Sequence, residues 1–555
     1  MTIQSKNRLK IAAAMFLAVA AFPSAAVAAE IDYARVVERS DSEILIKRYS
    51  FTKETYHRCT IATLACTEVP SDTKIAAPAP ALPFMQAYRA LMPAGAQSLL
   101  RSDDGAYVAF YIPATQSKPT RTFGIMKTAD LSLYTKEEPV AYWDLLTEGI
   151  RYFVFSPDSK RLIYINDGAG PKTLYEADLT SLSNGTLESE RLFSKNYEVA
   201  DVIFKDNDSI FFIANRDNPY AWALYELNLS TYALKKIASD VSYDDNLRLI
   251  GLPGQGGKLL FHYADQSGVR PAVYNLATQK VEEFQLPAGN GTPSQGVKVA
   301  TLKEGLYGTF LLESSGASDT LLVWLHGGPY RQNALGYHPY ASYGGYDWML
   351  ENLRDANVGV LKLDYPGSAG FGREYAESIT GKVGVIDSQK SYAAIKDFAA
   401  RNGYKNIYVM GNSYGGYLAL KLLVDYPSTF KGAFSVNGVA DWLTLLTKLD
   451  TSIFNVQFLG TINDENRAAY QKSSIYNYVG NLGNQKVILM HGASDRTIPV
   501  SQSEGLATYL TANGKNVTLI KPEGEDHVYK KPETFETLCK TALSFVGRTT
   551  SACEL

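Results

Sequence analysis

The sequence predicts an all-β propeller followed by a doubly wound, mostly parallel α/β sheet, and two observations carry that expectation. From about residue 100 to 290 a unit of four short apolar strands recurs, with copies starting near Arg151, Ala200 and Leu247, 49 and 47 residues apart. A period near 40 to 50 residues with four strands per unit is what propeller blades need, because each small sheet must stack on its neighbours to bury its faces. After Gly291 the texture changes to short apolar strands alternating with helical segments, the pattern of a parallel sheet with crossover helices.

The N-terminus carries Lys6, Arg8 and Lys10, then an apolar run from Ile11 to Phe22, then Ala26-Val27-Ala28. That order of charge, apolar stretch and small-residue A-x-A predicts a cleaved secretory signal over residues 1–28, cut after Ala28. The apolar run is shorter than the roughly 17 residues that cross a bilayer, so a membrane anchor is disfavoured and no span is expected after cleavage. The mature chain is therefore expected in a periplasm or outside the cell.

Such a compartment permits disulfides. Four cysteines allow three pairings, and the two local ones, Cys59 with Cys66 and Cys539 with Cys553, are favoured as structural staples. The chain has no C-x-x-C and no H-E-x-x-H, so neither a metal nor a cofactor is expected. A formal charge of −3 lacks the basic excess that nucleic-acid binding needs. The aromatic content, with Tyr 37, Phe 23 and Trp 5, leans towards half-buried strands and suits the blades.

Residues 29–292 are accordingly assigned to the propeller domain, including an N-terminal extension, and residues 293–555 to the α/β domain. Three clear repeats and an earlier copy at Tyr107 to Tyr111 leave the blade number open at four or five. In the second domain a strand pair is expected at 298–302 and 307–313. Further strands are expected at 321–324, 359–363, 407–410, 433–436, 487–490 and 517–520. Helices are expected at 346–356, 389–401, 417–425, 501–512 and 532–546.

The strand at 407–410 runs straight into Gly411-Asn412-Ser413-Tyr414-Gly415, and a helix follows. G-x-S-x-G in a strand-turn-helix context holds the serine clear of the sheet edge, so Ser413 is the candidate nucleophile. A serine hydroxyl needs a base, and the base needs an orienting acid. Downstream of Ser413 only His491 and His527 remain. His527 lies in the loop after strand 517–520, where strand ends converge at the edge that bears α/β sites, so it is the candidate base and His491 a structural loop residue. Asp495, on the loop beyond strand 487–490, is the candidate acid. Asp364, Asp441 and Asp526 compete for that role less naturally. Strand 321–325 ends in His326-Gly327-Gly328-Pro329, which predicts an oxyanion loop, with Gly328 and the Tyr414 amide as donors and His326 orienting the loop. Tyr417 and Trp442, beside Tyr414, are candidates for an apolar substrate pocket. Arg496 is a candidate for a substrate carbonyl or carboxylate.

These stretches, together with Asp364-Tyr-Pro-Gly-Ser-Ala-Gly-Phe-Gly372, His491-Gly-Ala-Ser-Asp-Arg-Thr-Ile-Pro499 and Glu525-Asp-His527, resemble the prolyl oligopeptidase family of serine peptidases. The resemblance spans nearly the whole mature chain and favours the acylaminoacyl-peptidase and dipeptidyl-peptidase side of that family. It implies a propeller capping an α/β-hydrolase domain, with oligopeptide substrates cleaved between them. Two departures stand out. The propeller is short against the seven or eight blades usual there, and the Asp-Trp-x-Tyr-Glu-Glu stretch that grips a free amino group is missing. Glu137-Glu138 is a paired carboxylate in a plausible propeller loop. Two other functions remain open: an esterase or acyl hydrolase using the same three residues, and a binding propeller with a vestigial hydrolase domain.

Overall fold

A computed structural model describes residues 33–549 and Cys553, except 41, 50–52, 76–88, 90, 113–119, 140–152, 167–172, 194–196, 244–246, 251–256, 266, 288–296, 312–317 and 449–466. The expected signal, its cleavage point after Ala28 and the expected boundary at 292/293 lie outside the described residues.

The first half is an array of small antiparallel sheets. Five four-stranded units are described, over residues 33–69, 97–139, 153–191, 199–239 and 248–283. Alternation along single strands explains their stacking. In strand Ser209–Ala214 the side chains of Ile210, Phe212 and Ala214 pack against Val154 and Ile163 of the preceding unit, while Phe211 and Ile213 pack against Leu259 and Phe261 of the following one. A strand covered on both faces reads as a continuous apolar run, as this one does.

The stretch expected as an N-terminal extension is itself a blade. Strand Tyr33–Arg39 pairs in parallel with strand Gly268–Asn275 at Tyr33 and Val269, and Ile44, Ile46 and Cys59 share a core with Leu260 and Val273 of the last unit. Its partly exposed faces carry Glu38, Arg39, Lys47 and Arg48, which mask the apolar alternation in the sequence. Cys59 and Cys66 are bonded directly across its last hairpin.

The α/β domain is built on eight strands: β1 (Val297–Val299), β2 (Tyr307–Leu311), β3 (Thr320–Leu325), β4 (Gly359–Asp364), β5 (Asn406–Asn412), β6 (Phe430–Val436), β7 (Lys486–Met490) and β8 (Val517–Ile520). They lie in the order β1-β2-β4-β3-β5-β6-β7-β8, antiparallel at β1, β2 and β4 and parallel from there on. The helices used below are α1 (Gly344–Asp355), α2 (Arg373–Glu377), α3 (Ile386–Asn402), α4 (Tyr414–Asp425), α5 (Trp442–Lys448), α6 (Arg467–Ser473), α7 (Ser501–Ala512) and α8 (Pro532–Phe545). The period of two again sorts the core. Leu321, Val323 and Leu325 of β3 face α3 and α4, whereas Leu322 and Trp324 face α1 and α8.

Register decides where the chemistry can sit. Leu325 is level with Gly411, Gly411 with Ser435, and Val436 with Met490 and Ile520. The residues that follow, His326, Ser413, Asn437 and His491, therefore leave the sheet along one row of carboxyl-terminal strand ends, the edge at which open α/β sheets place their ligands.

The two domains are joined through polar contacts to the loops after β3 and β4. Tyr220 donates its hydroxyl to Asp364, Trp222 Nε1 donates to Gln332 Oε1 at 2.9 Å, and Asn215 Nδ2 donates to the Gly370 carbonyl at 2.8 Å. The Gly372 amide donates to Glu198 Oε1 at 2.9 Å, and Tyr33 donates to the His338 carbonyl at 2.7 Å. Beside these contacts lies an interdomain cavity of about 360 Å³, lined by Tyr220, Trp222, Tyr243 and Asp240 from the propeller and by Asn333 and Leu335 from the hydrolase side.

Candidate active site

Ser413 occupies the turn between β5 and α4 with φ 54° and ψ −119°, a conformation that an L residue holds only when its surroundings enforce it. The enforcement is visible. Its amide donates to the Val436 carbonyl of β6 at 2.8 Å, and its carbonyl accepts from the Tyr417 amide at 3.0 Å. A Cβ on either Gly411 or Gly415 would collide with the Leu325 carbonyl, so both glycines of the motif are required by the end of β3. That close approach brings the next loop onto the serine, since a Cβ on Gly327 would lie 3.1 Å from Ser413 Cβ.

His527 Nδ1 lies 2.7 Å from Asp495 Oδ2. A carboxylate only accepts, so Nδ1 carries the proton and Nε2 keeps the lone pair that a general base uses. Asp495 is held just as firmly. Its Oδ1 accepts from the Thr497 and Ile498 amides, each at 2.8 Å, and His491 Nε2 stands 3.3 Å from Oδ2. Burial alone would raise this carboxyl, but hydrogen bonds from His491 and His527 with the charge of His527 outweigh it and hold Asp495 well below the ordinary carboxylate range. His491 itself is wholly buried, with Nδ1 on Ser503 Oγ at 2.7 Å and Nε2 on the Ile498 carbonyl at 2.8 Å, so it braces the Asp495 loop.

The His326-Gly327-Gly328 loop is braced from below. Tyr365 donates its hydroxyl to the His326 carbonyl at 2.6 Å, and His326 packs its ring on Tyr365 with Ser368 Oγ 2.9 Å from Nε2. The Gly327 amide donates to the Tyr343 hydroxyl at 3.1 Å and is thereby engaged.

The competing acids have other occupations. Asp364 accepts from the Asn333 amide and side chain and from Tyr220, which makes it an anchor of the domain junction. Asp441 caps α5 through Thr444. Asp526 accepts from the Arg496 amide at 3.0 Å and from Arg496 Nε at 2.7 Å, contacts that lower its carboxyl to about 2. Arg496 is 87% exposed and is paired with Asp526. Tyr417 is fully buried and donates to the Ser473 carbonyl at 2.9 Å, and Trp442 packs beside it, so both belong to the aromatic core under the elbow. The pocket expected from Tyr417, Trp442 and Arg496 is thus corrected: two of its members are core and the third is a surface ion pair. Glu137 and Glu138 are corrected as well, since they fall inside strand Leu133–Pro139 and not in a loop.

Sequence reasoning missed Asn437. This residue follows β6 with φ 47°. Its Nδ2 donates to the His527 carbonyl at 2.8 Å, and its Oδ1 accepts from the Gly492 amide at 2.9 Å and the Tyr529 hydroxyl at 3.0 Å. It was findable only through its place at a strand end beside the elbow. Glu525 has a related role, accepting from the Lys530 and Lys531 amides at 2.9 Å each to shape the chain beyond His527.

A nucleophile elbow, an Asp–His pair and a glycine loop along one row of strand ends, beneath a propeller, define an α/β hydrolase with an N-terminal β-propeller. Residues 344–552, within this α/β domain, match the sequence profile of the prolyl oligopeptidase family. The chain is 22% identical over 486 residues to dipeptidyl aminopeptidase BIII of Pseudoxanthomonas mexicana, covering 80% of this chain and 67% of that one. It is 28% identical over 189 residues to the inactive dipeptidyl peptidase 10 of Mus musculus, covering 33% and 23%. The first seven curated relatives are matched over 17% to 44% of their own lengths. Among solved structures, a puromycin-hydrolysing peptidase of Mycobacterium tuberculosis superposes with a TM-score of 0.66 at 16% identity, over 95% of this chain and 86% of that one, a likeness of fold.

Proposed function

We propose that this protein is a serine peptidase that cleaves short peptides through an acyl-enzyme on Ser413. The observation that carries the reading is the 2.7 Å contact of His527 Nδ1 with the buried Asp495, on strand ends tied to the strained serine turn. In this mechanism His527 Nε2 takes the Ser413 proton as Oγ attacks the scissile carbonyl, then returns it to the leaving amine. Water repeats the sequence to release the acid. The oxyanion is met by the amides of Tyr414 and Gly328, since Gly327 is engaged by Tyr343. The match to the prolyl oligopeptidase family profile and a similar protein named as an aminopeptidase support peptide bonds as the target. A propeller seated over the loops after β3 and β4 supports small substrates, because it leaves little room for a folded protein.

We further infer that the reaction takes place in a periplasm or outside the cell. Two disulfides and the charged, apolar, A-x-A start of the chain support that placement.

The test is fluorophosphonate labelling followed by mass spectrometry of the products from a peptide library with free and blocked amino termini. Ser413 should be labelled, and Ser413→Ala should fold yet turn over nothing. Turnover of esters but not of the matching amides would replace the peptidase by an esterase. An unlabelled Ser413 would leave a binding propeller on an inactive hydrolase.

A further inference from the structure

Asp387 lies in the first turn of α3 and is completely buried. It accepts a hydrogen bond at 2.7 Å from the hydroxyl of Tyr414, the residue directly after the nucleophile. The Tyr414 ring stacks on Tyr365, with 5.6 Å between centroids and 14° between planes, and Tyr365 stacks on His326 at 4.6 Å and 22°. Tyr365 also holds the His326 carbonyl. One carboxyl group thus stands at the end of a stack that runs from the serine turn to the glycine loop, the two segments from which oxyanion donors are expected.

We propose that Asp387 is a positioning residue whose ionised carboxylate holds Tyr414, and through Tyr365 the His326–Gly328 loop, in the geometry that receives the oxyanion. This rests on the reading of Ser413 as nucleophile. It adds to the reaction a group outside Ser413, Asp495 and His527 whose protonation weakens it.

The environment makes that protonation accessible near neutral pH. Burial pushes the Asp387 carboxyl up to about 6, against the opposing hydrogen bond from Tyr414 and those from the backbone around Gly384 and Ser388. The titratable groups facing it are Tyr414 and Tyr417 of α4 and Tyr365 after β4. All three phenols are pushed up by burial, with the Asp387 charge adding to the effect. Lys421 of α4, on the Gly384 side, is paired with Asp425. A hydrogen bond to an ionised acceptor is about twice as strong as a neutral one, so a proton on Asp387 loosens Tyr414 without removing its partner.

The rate at which a fluorophosphonate labels Ser413, followed from about pH 4.5 to 8, tests this without knowledge of the substrate. At neutral pH Asp387→Asn, whose amide imitates the protonated acid, should be labelled roughly tenfold more slowly than the wild type, and below about pH 6 the two rates should converge, because the wild type then carries the proton that the amide imitates. Tyr414→Phe should converge on the wild type in the same way, and combining the two changes should cost little beyond either alone. A carboxyl that only supports the fold would move the thermal midpoint and leave the ratio of the two rates the same at every pH. A ratio of wild-type to Asp387→Asn rates that stays constant from about pH 4.5 to 8, or a folded Asp387→Asn protein with the wild-type rate throughout, would overturn the proposal while leaving the Ser413 reading standing. A wild-type protein unlabelled at every pH would instead sink the reading of Ser413 itself.

Discussion

The side-chain amide of Asn437 donates to the main-chain carbonyl of His527 at 2.8 Å, and this bond ties the candidate base to the strand beside the candidate nucleophile. The same residue follows Val436, whose carbonyl accepts from the Ser413 amide. Two hydrogen bonds therefore separate the backbone of the serine from that of the histidine. Asn437→Asp keeps the acceptor for Gly492 and Tyr529 but loses the donor to His527. It should lower kcat/KM by about ten- to a hundredfold, because small displacements of a catalytic group carry losses of that order. Labelling rates compared with thermal midpoints will separate this from simple unfolding.

Asp495→Asn should keep the fold and lower kcat by about 10⁴-fold, since an amide opposite Nδ1 favours the wrong imidazole tautomer. Steady-state kinetics on any peptide found to be cleaved will measure it. A loss of less than tenfold would mean that another acid orients His527.

The same carboxyl has a signature in acid stability. Its folded pKa lies below the unfolded value near 4, so the stability it contributes is present at neutral pH and is lost as pH falls through the folded value. Thermal midpoints measured from neutral to acid pH should fall more steeply for the wild type than for Asp495→Asn.

The Cys539–Cys553 bridge ties α8 to the chain end, where the Cys553 amide donates to Asn352 Oδ1 of α1. Closing a loop of this size contributes about 3 kcal/mol through the unfolded chain. Cys553→Ala should lower the thermal midpoint of the hydrolase domain by several degrees and leave the labelling rate of Ser413 nearly unchanged. A midpoint unaffected by the change would show that packing alone holds α8.

Tyr220→Phe removes the hydroxyl that the propeller gives to the buried Asp364. A hydrogen bond to a charged group contributes about 1.5–3 kcal/mol, and Asp364 would keep its Asn333 donors, so the expected result is a weakened junction and not an unfolded domain. Hydrogen exchange should rise in residues 199–239 and in the loop after β4. Unchanged exchange in both would argue that the other junction contacts suffice.

Much of the fold was readable because its signals are local. Helix Ser501–Ala512 and the strands around 407–410, 487–490 and 517–520 declare themselves by period and by flanking turns. The candidate nucleophile, acid and base were readable for the same reason, each sitting in the loop just past a strand. What stayed hidden acts at a distance. Asn437 reaches His527 across 90 positions and Asp387 reaches Tyr414 across 27, with no motif to mark either. Helices α5 and α6 were missed because Trp442–Lys448 and Arg467–Ser473 are short, seven residues each, and carry too few turns to show a period. Arg496 and Tyr417 were misread because residue type cannot say which way a side chain turns: Asp526 draws the arginine outward, and the carbonyl of Ser473 holds the tyrosine in the core.

The parallel pairing of strand Tyr33–Arg39 with strand Gly268–Asn275 bears on how the molecule is made. Of the five described blades, the first in sequence finds this neighbour only when the fifth exists. Until then its inner face, with Ile44 and Ile46, has no counterpart. Long-range closure of this kind is slow and leaves apolar strand surface open to wrong partners. The hairpin bridge between Cys59 and Cys66 lies in that waiting blade, where a covalent tie can keep two of its strands in register before the array is complete.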